Sequence, residues 1–192
     1  MTISGELLVK PGWRFLLSHP AHLLSFGFGS GLARKAPGTF GTLVAFPLYW
    51  ALALRLTDLG ILLVLVLAFA IGVWVCGITG RALGVADYGG IVWDEIVAFL
   101  LELFLTPPGW YWALLAFTLF RFFDIVKPQP IRYFDSHWHG GLGVMFDDLL
   151  EIEIGNPPEI FFIFGIREGI SSFDEIKTEL IETHSDGQFV FQ

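Results

Sequence analysis

The chain alternates between long apolar runs and short polar stretches. The longest run without a charged residue is 59–80, which is 22 residues between Asp58 and Arg81. About 20 helical residues cross a ~30 Å hydrocarbon core, so this run predicts a transmembrane helix, with a fully buried core helix as the alternative. Three shorter apolar segments predict helices that are tilted, re-entrant or buried in a core. They are 43–54, 96–105 and 109–120.

The order of the apolar segments predicts two out-and-back helical pairs, with turns at 55–58 and 106–108. The polar stretches 1–42, 81–95 and 121–148 then emerge on the same side. That side holds eight of the nine basic residues in the first 150, so the positive-inside rule makes it the cytoplasmic face. We expect no signal peptide, because no basic segment precedes an apolar run at the start of the chain.

Composition and charge exclude several classes of protein. The hydrophobic share is 54%, the mean hydropathy is +0.65 and only 16% of residues are charged, which excludes disorder over most of the length. Of the net charge of −8, residues 1–150 contribute −1 and residues 151–192 contribute −7. The chain has no basic patch suited to nucleic acid. A lone cysteine, Cys76, excludes a disulfide framework and a thiolate metal site.

Two glycine-rich stretches, 27–32 and 37–42, are candidate anion-binding elements. In the second, Thr39, Gly41 and Thr42 precede an apolar run, and backbone N–H groups at a helix start suit a phosphate. A capped helix start needs the same residues, so both interpretations stay open. The spacing is not that of a Walker loop.

Acidic residues collect at the ends of the apolar segments, on the predicted cytoplasmic side. Six carboxylates brought together need a cation, and oxygen ligands favour Mg²⁺. Basic groups beside them would need an anion, and together these groups are typical of phosphoryl transfer on a phospholipid headgroup. The acids are Asp87, Asp94, Glu95, Asp124, Asp147 and Asp148, and the basic groups are Arg121, Lys127, Arg132 and His139.

Simpler explanations exist for parts of this set. Asp94 and Glu95 would also be favoured in the first turn of a helix by its dipole. Arg121, Asp124 and Lys127 recur every three residues and would form an ion-pair ladder on one helix face. The histidine pair at 137 and 139 supplies too few ligands for zinc.

Five motifs in sequence order make the chain resemble the phosphatidylglycerophosphatase A family of bacterial lipid phosphatases. They cover about residues 14–150 and are GFGSGL (27–32), PGTFGT (37–42), IVWDE (91–95), FRFFDIVKPQPIRYFD (120–135) and HGGLGVMFDD (139–148). The resemblance implies an all-α fold with several helices around a central one, at the bacterial inner membrane. It also implies Mg²⁺-dependent hydrolysis of phosphatidylglycerophosphate to phosphatidylglycerol and phosphate.

Our hypothesis for the mechanism divides the roles among the candidate residues. We expect one or two Mg²⁺ on Asp94, Glu95, Asp147 and Asp148, with Asp87 and Asp124 as ligands or neighbours of ligands. Direct attack by water and a covalent aspartyl intermediate both stay open. The substrate phosphate would be bound by Thr39, Gly41, Thr42, Arg121, Lys127 and Arg132. His139 would protonate the leaving alkoxide, and His137, which is as near in sequence, stays open as the alternative.

The predicted domain organisation is a helical domain over 1–150 followed by an acidic tail over 151–192 that departs from the family pattern. The tail makes an inactive or truncated lipid-binding homologue the main alternative function. A small membrane transporter is a second alternative, although the chain has no internal repeat and its charges lie at segment ends. The sequence does not indicate an oligomeric state.

Overall fold

A computed structural model of the chain describes residues 8–85, 88–126 and 141–145. The regular secondary structure in these residues is all helical, without strands, and residues 141–145 form a short helical segment. The other helices are α1 (Trp13–Leu16), α2 (Pro20–Ser25), a 3-10 helix (Gly27–Leu32), α3 (Pro37–Ala53), α4 (Asp58–Leu83), α5 (Trp93–Leu105) and α6 (Trp110–Val126).

The long helix α4 has clear signals at both ends. The Thr57 hydroxyl accepts a hydrogen bond from the N–H of Gly60 at 3.4 Å, and Gly84 ends the helix with a φ of +76°. Its 26 residues extend about 39 Å, enough to cross a bilayer. Only 28% of its most apolar 18-residue window is buried, so a fully buried core helix does not describe it.

Helix α5 is the central helix of the described fold. It contacts α2, α3, α4 and α6, and eight of its 13 residues are buried. At about 20 Å it is too short to cross a bilayer, and its surroundings are other helices. In the described residues, the structure therefore shows the all-α arrangement around a central helix that the family resemblance implies. The predicted acidic tail over 151–192 lies outside these residues.

Two buried clusters lie along α5. Phe99 belongs to the first cluster, which joins α5 to α3, α6 and the N-terminal half of α4 through residues such as Ile61 and Phe120. The second cluster joins the start of α5 to α1, α2 and the C-terminal half of α4, and includes Phe26 and Met145. Each half of α4 thus packs against a different group of helices.

Helices α3 and α4, and helices α5 and α6, are joined by short turns at 54–57 and 106–109 and contact each other, as the predicted pairs require. The helices are longer than the apolar segments that predicted them. Helix α3 begins at Pro37 rather than 43, because the PGTFGT stretch forms its first turns, and Pro is favoured at such a start. Helix α6 extends to Val126 and includes Arg121 and Asp124, which pair with each other along the helix.

Candidate active site

The start of α3, the start of α5 and the last turns of α6 meet at one end of the fold. Glu95, in the first turn of α5, lies against Gly38 in the first turn of α3. The same carboxylate contacts Arg121 of α6. The predicted convergence of polar stretches is therefore present for the residues that the structure describes here.

The carboxylate of Glu95 fills the space left by two glycines of α3. A Cβ atom on Gly38 would overlap Glu95 Oε1 and would lie 2.6 Å from its Cδ, and a Cβ on Gly41 would lie 3.2 Å from Oε2. The backbone N–H groups of a helix start favour an anion at this position. The glycines therefore allow a carboxylate to approach the positive end of α3.

Arg121 joins two carboxylates from different helices. Its Nη1 lies 3.3 Å from Glu95 Oε1, and its Nη2 lies 2.8 Å from Asp124 Oδ2. The three side chains are only 12–15% exposed, so water screens these charges weakly. Arg121 Nε has no hydrogen-bond partner within the described ranges. The predicted ladder contact between Arg121 and Asp124 is present, and Glu95 adds a cross-helix contact to it.

Asp94 is buried at the start of α5, with 7% of its surface exposed. Its Oδ1 accepts a hydrogen bond from the N–H of Glu95 at 3.0 Å. Both acids lie in the first turn of α5, where the helix dipole favours negative charge. The dipole accounts for the presence of both acids at this position, and the cross-helix contacts place Glu95 in the site shared by α3, α5 and α6.

The threonines of the first turns of α3 differ in their surroundings. Thr42 is fully buried, and its hydroxyl donates to the carbonyl of Gly38 at 2.9 Å, so this hydroxyl is engaged within the helix. Thr39 is half-buried.

Gly41 of α3 lies against the residue before α5. A Cβ on Gly41 would lie 2.7 Å from Val92 Cβ, so this glycine lets α3 and α5 pack closely. The substrate contacts of Thr39, Gly41 and Thr42 stay predictions.

Residues 141–145 pack across α4 close to the start of α5. A Cβ on Gly141 would overlap the carbonyl oxygen of Val73, and a Cβ on Gly72 would lie 2.5 Å from Met145 Sδ and 2.8 Å from Trp93 Cδ1. Small residues on both sides permit this crossing.

Six predicted site residues lie outside the described ranges: Asp87, Lys127, Arg132, His139, Asp147 and Asp148.

The predicted Mg²⁺ site is therefore described only in part. Over 8–85, 88–126 and 141–145, no group of three His, Cys, Asp or Glu side chains is arranged to hold a metal. The donors that are described there, Asp94, Glu95 and Asp124, offer carboxylate oxygens, the ligand type that Mg²⁺ prefers. This donor chemistry fits Mg²⁺, and the metal itself stays a prediction.

A buried polar cluster, which the sequence pattern did not predict, lies near this end. His22 and Ser25 of α2 bond to Thr79 of α4, at 3.0 Å and 2.7 Å. Trp93, next to Asp94, donates its indole N–H to the carbonyl of Ala68 at 3.0 Å. A hydroxyl inside the apolar run of α4 was the available signal for the cluster, because a buried hydroxyl needs a partner.

Comparisons with known proteins agree with the motifs. A family model described as phosphatidylglycerophosphatase A matches residues 23–151. The chain is 44% identical over 138 residues to the phosphatidylglycerophosphatase A of Escherichia coli, covering 71% of this chain and 80% of that protein. It is 48% identical over 143 residues to the Haemophilus influenzae protein of that name, covering 73% and 87%. No solved structure matches the chain. The predicted family and the predicted enzyme class are confirmed: the chain belongs to the phosphatidylglycerophosphatase A family.

Proposed function

We propose that this protein hydrolyses phosphatidylglycerophosphate to phosphatidylglycerol and inorganic phosphate at a membrane surface. The names of the two relatives support this substrate. The observation that carries the proposal is the junction of Glu95, Arg121 and Asp124 beside the start of α3. The buried Asp94 precedes Glu95 in the first turn of α5. Buried acids next to a cation and a helix N-terminus suit a phosphate ester that must be bound, neutralised and cleaved.

Three described acids are the proposed ligands of Mg²⁺. Asp94, Glu95 and Asp124 are the described groups that would hold Mg²⁺, together with the predicted ligands Asp87, Asp147 and Asp148. When bound, Mg²⁺ withdraws negative charge from the phosphoryl oxygens.

Arg121 has a separate role in this proposal. The two carboxylates orient its guanidinium, so its positive charge is fixed before substrate arrives rather than ordered at the moment of reaction. The remaining basic groups, Lys127 and Arg132, add charge for the phosphate, and His139 protonates the leaving alkoxide.

The membrane context follows from α4 in this proposal. Its exposed side chains are almost all apolar, including Leu62, Leu63, Val66, Leu67 and Trp74. A soluble monomer seldom exposes so large an apolar face, whereas lipid would cover it. We therefore propose that α4 crosses the bacterial inner membrane and that the site faces the cytoplasm, where the positive-inside rule places the polar ends.

The direct test is phosphate release from phosphatidylglycerophosphate in detergent micelles, with the purified protein. We expect release in buffer containing Mg²⁺ and loss of release when a chelator removes the divalent cation. Binding of the lipid without phosphate release would favour the inactive homologue instead. Release that is unchanged by chelator would contradict the metal assignment and leave the phosphatase assignment in place.

A further inference from the structure

A chain of three buried side chains connects α2 to α4. His22 is 6% exposed, and Ser25 and Thr79 are fully buried. His22 Nδ1 lies 3.0 Å from Thr79 Oγ1, and Ser25 Oγ lies 2.7 Å from the same atom. Such groups are costly to bury unless each finds a partner, so the arrangement holds the two helices in a specific position.

The direction of each hydrogen bond in this chain is set by two carbonyls. Ser25 Oγ lies 2.5 Å from the carbonyl oxygen of Ala21 and 3.1 Å from that of Val75, and carbonyls only accept. The hydroxyl proton of Ser25 is therefore donated to a carbonyl oxygen, so Ser25 Oγ accepts a hydrogen bond from the Thr79 hydroxyl. Thr79 in turn accepts from His22, which fixes the proton of the imidazole on Nδ1.

The same part of α2 holds the start of α5. The carbonyl oxygen of Ser25 accepts a hydrogen bond from the N–H of Val92 at 2.8 Å, and Val92 is the residue from which α5 begins. Just after α2, a Cβ on Gly27 would lie 2.7 Å from Ile96 Cδ1 and 2.9 Å from Val92 Cγ2. The end of α2, from Ser25 to Gly27, thus packs directly on the first turn of α5, which includes Asp94.

We propose that Thr79, Ser25 and His22 are positioning residues, which hold the first turn of α5 and so set the placement of Asp94 and Glu95. They act through the Ser25 carbonyl and the Val92 N–H, and do not touch the substrate. The catalytic consequence rests on the proposed phosphatase function, whereas the positional consequence does not.

The test compares two substitutions at one position. Thr79→Val keeps the shape and removes the hydroxyl, whereas Thr79→Ser keeps the hydroxyl. Ile61→Val, at the opposite end of α4, is the matched core control. Amide hydrogen exchange of the 91–96 region is measured with kcat and KM for phosphate release, using full-length protein in detergent.

We expect Thr79→Val to accelerate exchange over 91–96, without a matching change over 99–105. It should lower kcat about tenfold with KM within twofold, because a shift of a fraction of an ångström misplaces the acids. Thr79→Ser and Ile61→Val should stay within twofold of wild type in both measurements. If Thr79→Val does not fold, Ser25→Ala takes its place, since it removes the same hydrogen bond and keeps the backbone carbonyl.

Three results would overturn the proposal. The first is wild-type exchange in Thr79→Val, and the second is faster exchange with unchanged kcat. The third is an equal rise in exchange along all of α5, which would show general destabilisation. If wild-type protein releases no phosphate, the proposed function fails, while the exchange measurement still decides whether these side chains hold the start of α5.

Discussion

Gly38→Ala tests whether the start of α3 sets the position of Glu95. The added Cβ would lie 2.6 Å from Glu95 Cδ, and carbon atoms in normal contact are about 3.5 Å apart or more. The carboxyl group must therefore retreat by about 1 Å, and a 1 Å misplacement of a reacting group costs on the order of 100-fold in rate. The same movement strains its contact with Arg121.

The assay is kcat for phosphate release, with folding checked by circular dichroism in the same detergent. Gly89→Ala is the matched control, because a Cβ there has no atom within 4 Å and the residue lies in the loop before α5. We expect Gly38→Ala to lose about 100-fold in kcat and Gly89→Ala to stay near wild type. Wild-type kcat in Gly38→Ala would refute the proposed dependence of activity on the position of Glu95.

Three further predictions concern Arg121, the buried His22 and the place where residues 141–145 pack across α4. Arg121→Lys should lower kcat about 100-fold, because one ammonium group cannot contact both carboxylates as the two terminal nitrogens of the guanidinium do. The control Arg55→Lys, at an exposed site, should leave kcat unchanged. Burial, and secondarily His19, lowers the pKa of His22 below 6.5, so the unfolded state binds more protons and stability falls as pH drops below about 6.5. This loss of melting temperature should be smaller in His22→Gln. Gly72→Ala should destabilise the fold by about 1–2 kcal/mol.

Each of these predictions has a result that would contradict it. An Arg121→Lys variant with wild-type kcat would remove the two-carboxylate arrangement from the mechanism. An identical pH dependence of melting temperature in wild type and His22→Gln would show that this histidine does not control it. For Gly72→Ala the control is Gly77→Ala, whose Cβ meets only ordinary contacts from 3.5 Å outward. Equal stability of these two variants would contradict the packing argument.

The long helices could be predicted from the sequence because their apolar runs are long enough to indicate a helix without knowledge of tertiary contacts. The runs 43–54, 59–80, 96–105 and 109–120 all became helices, and the turns between them fall where charged residues or prolines interrupt them. Helices α1 and α2 have four and six residues, too few to produce a recognisable period. Helix α2 packs on α4 and α5, and α1 packs on α2. Local sequence does not reveal such tertiary packing.

The site could be predicted in its residue types better than in its contacts. The i, i+3 spacing of Arg121 and Asp124 predicted that they share a helix face, and they pair. The contact between Arg121 and Glu95 joins residues 26 apart and depends on how α5 and α6 pack. The role of Gly38 as the space for a carboxylate also required the packed structure, because the sequence allowed a simple helix start there equally well.

The central claim is that phosphate hydrolysis takes place at the junction of α3, α5 and α6. The most direct measurement is phosphate release from phosphatidylglycerophosphate by Asp94→Asn beside Asp58→Asn, which neutralises an acid in the first turn of α4 instead. We expect Asp94→Asn to fold normally and lose at least about 100-fold in kcat, while Asp58→Asn keeps wild-type activity. Full activity in a folded Asp94→Asn variant, or equal loss in both variants, would contradict the claim.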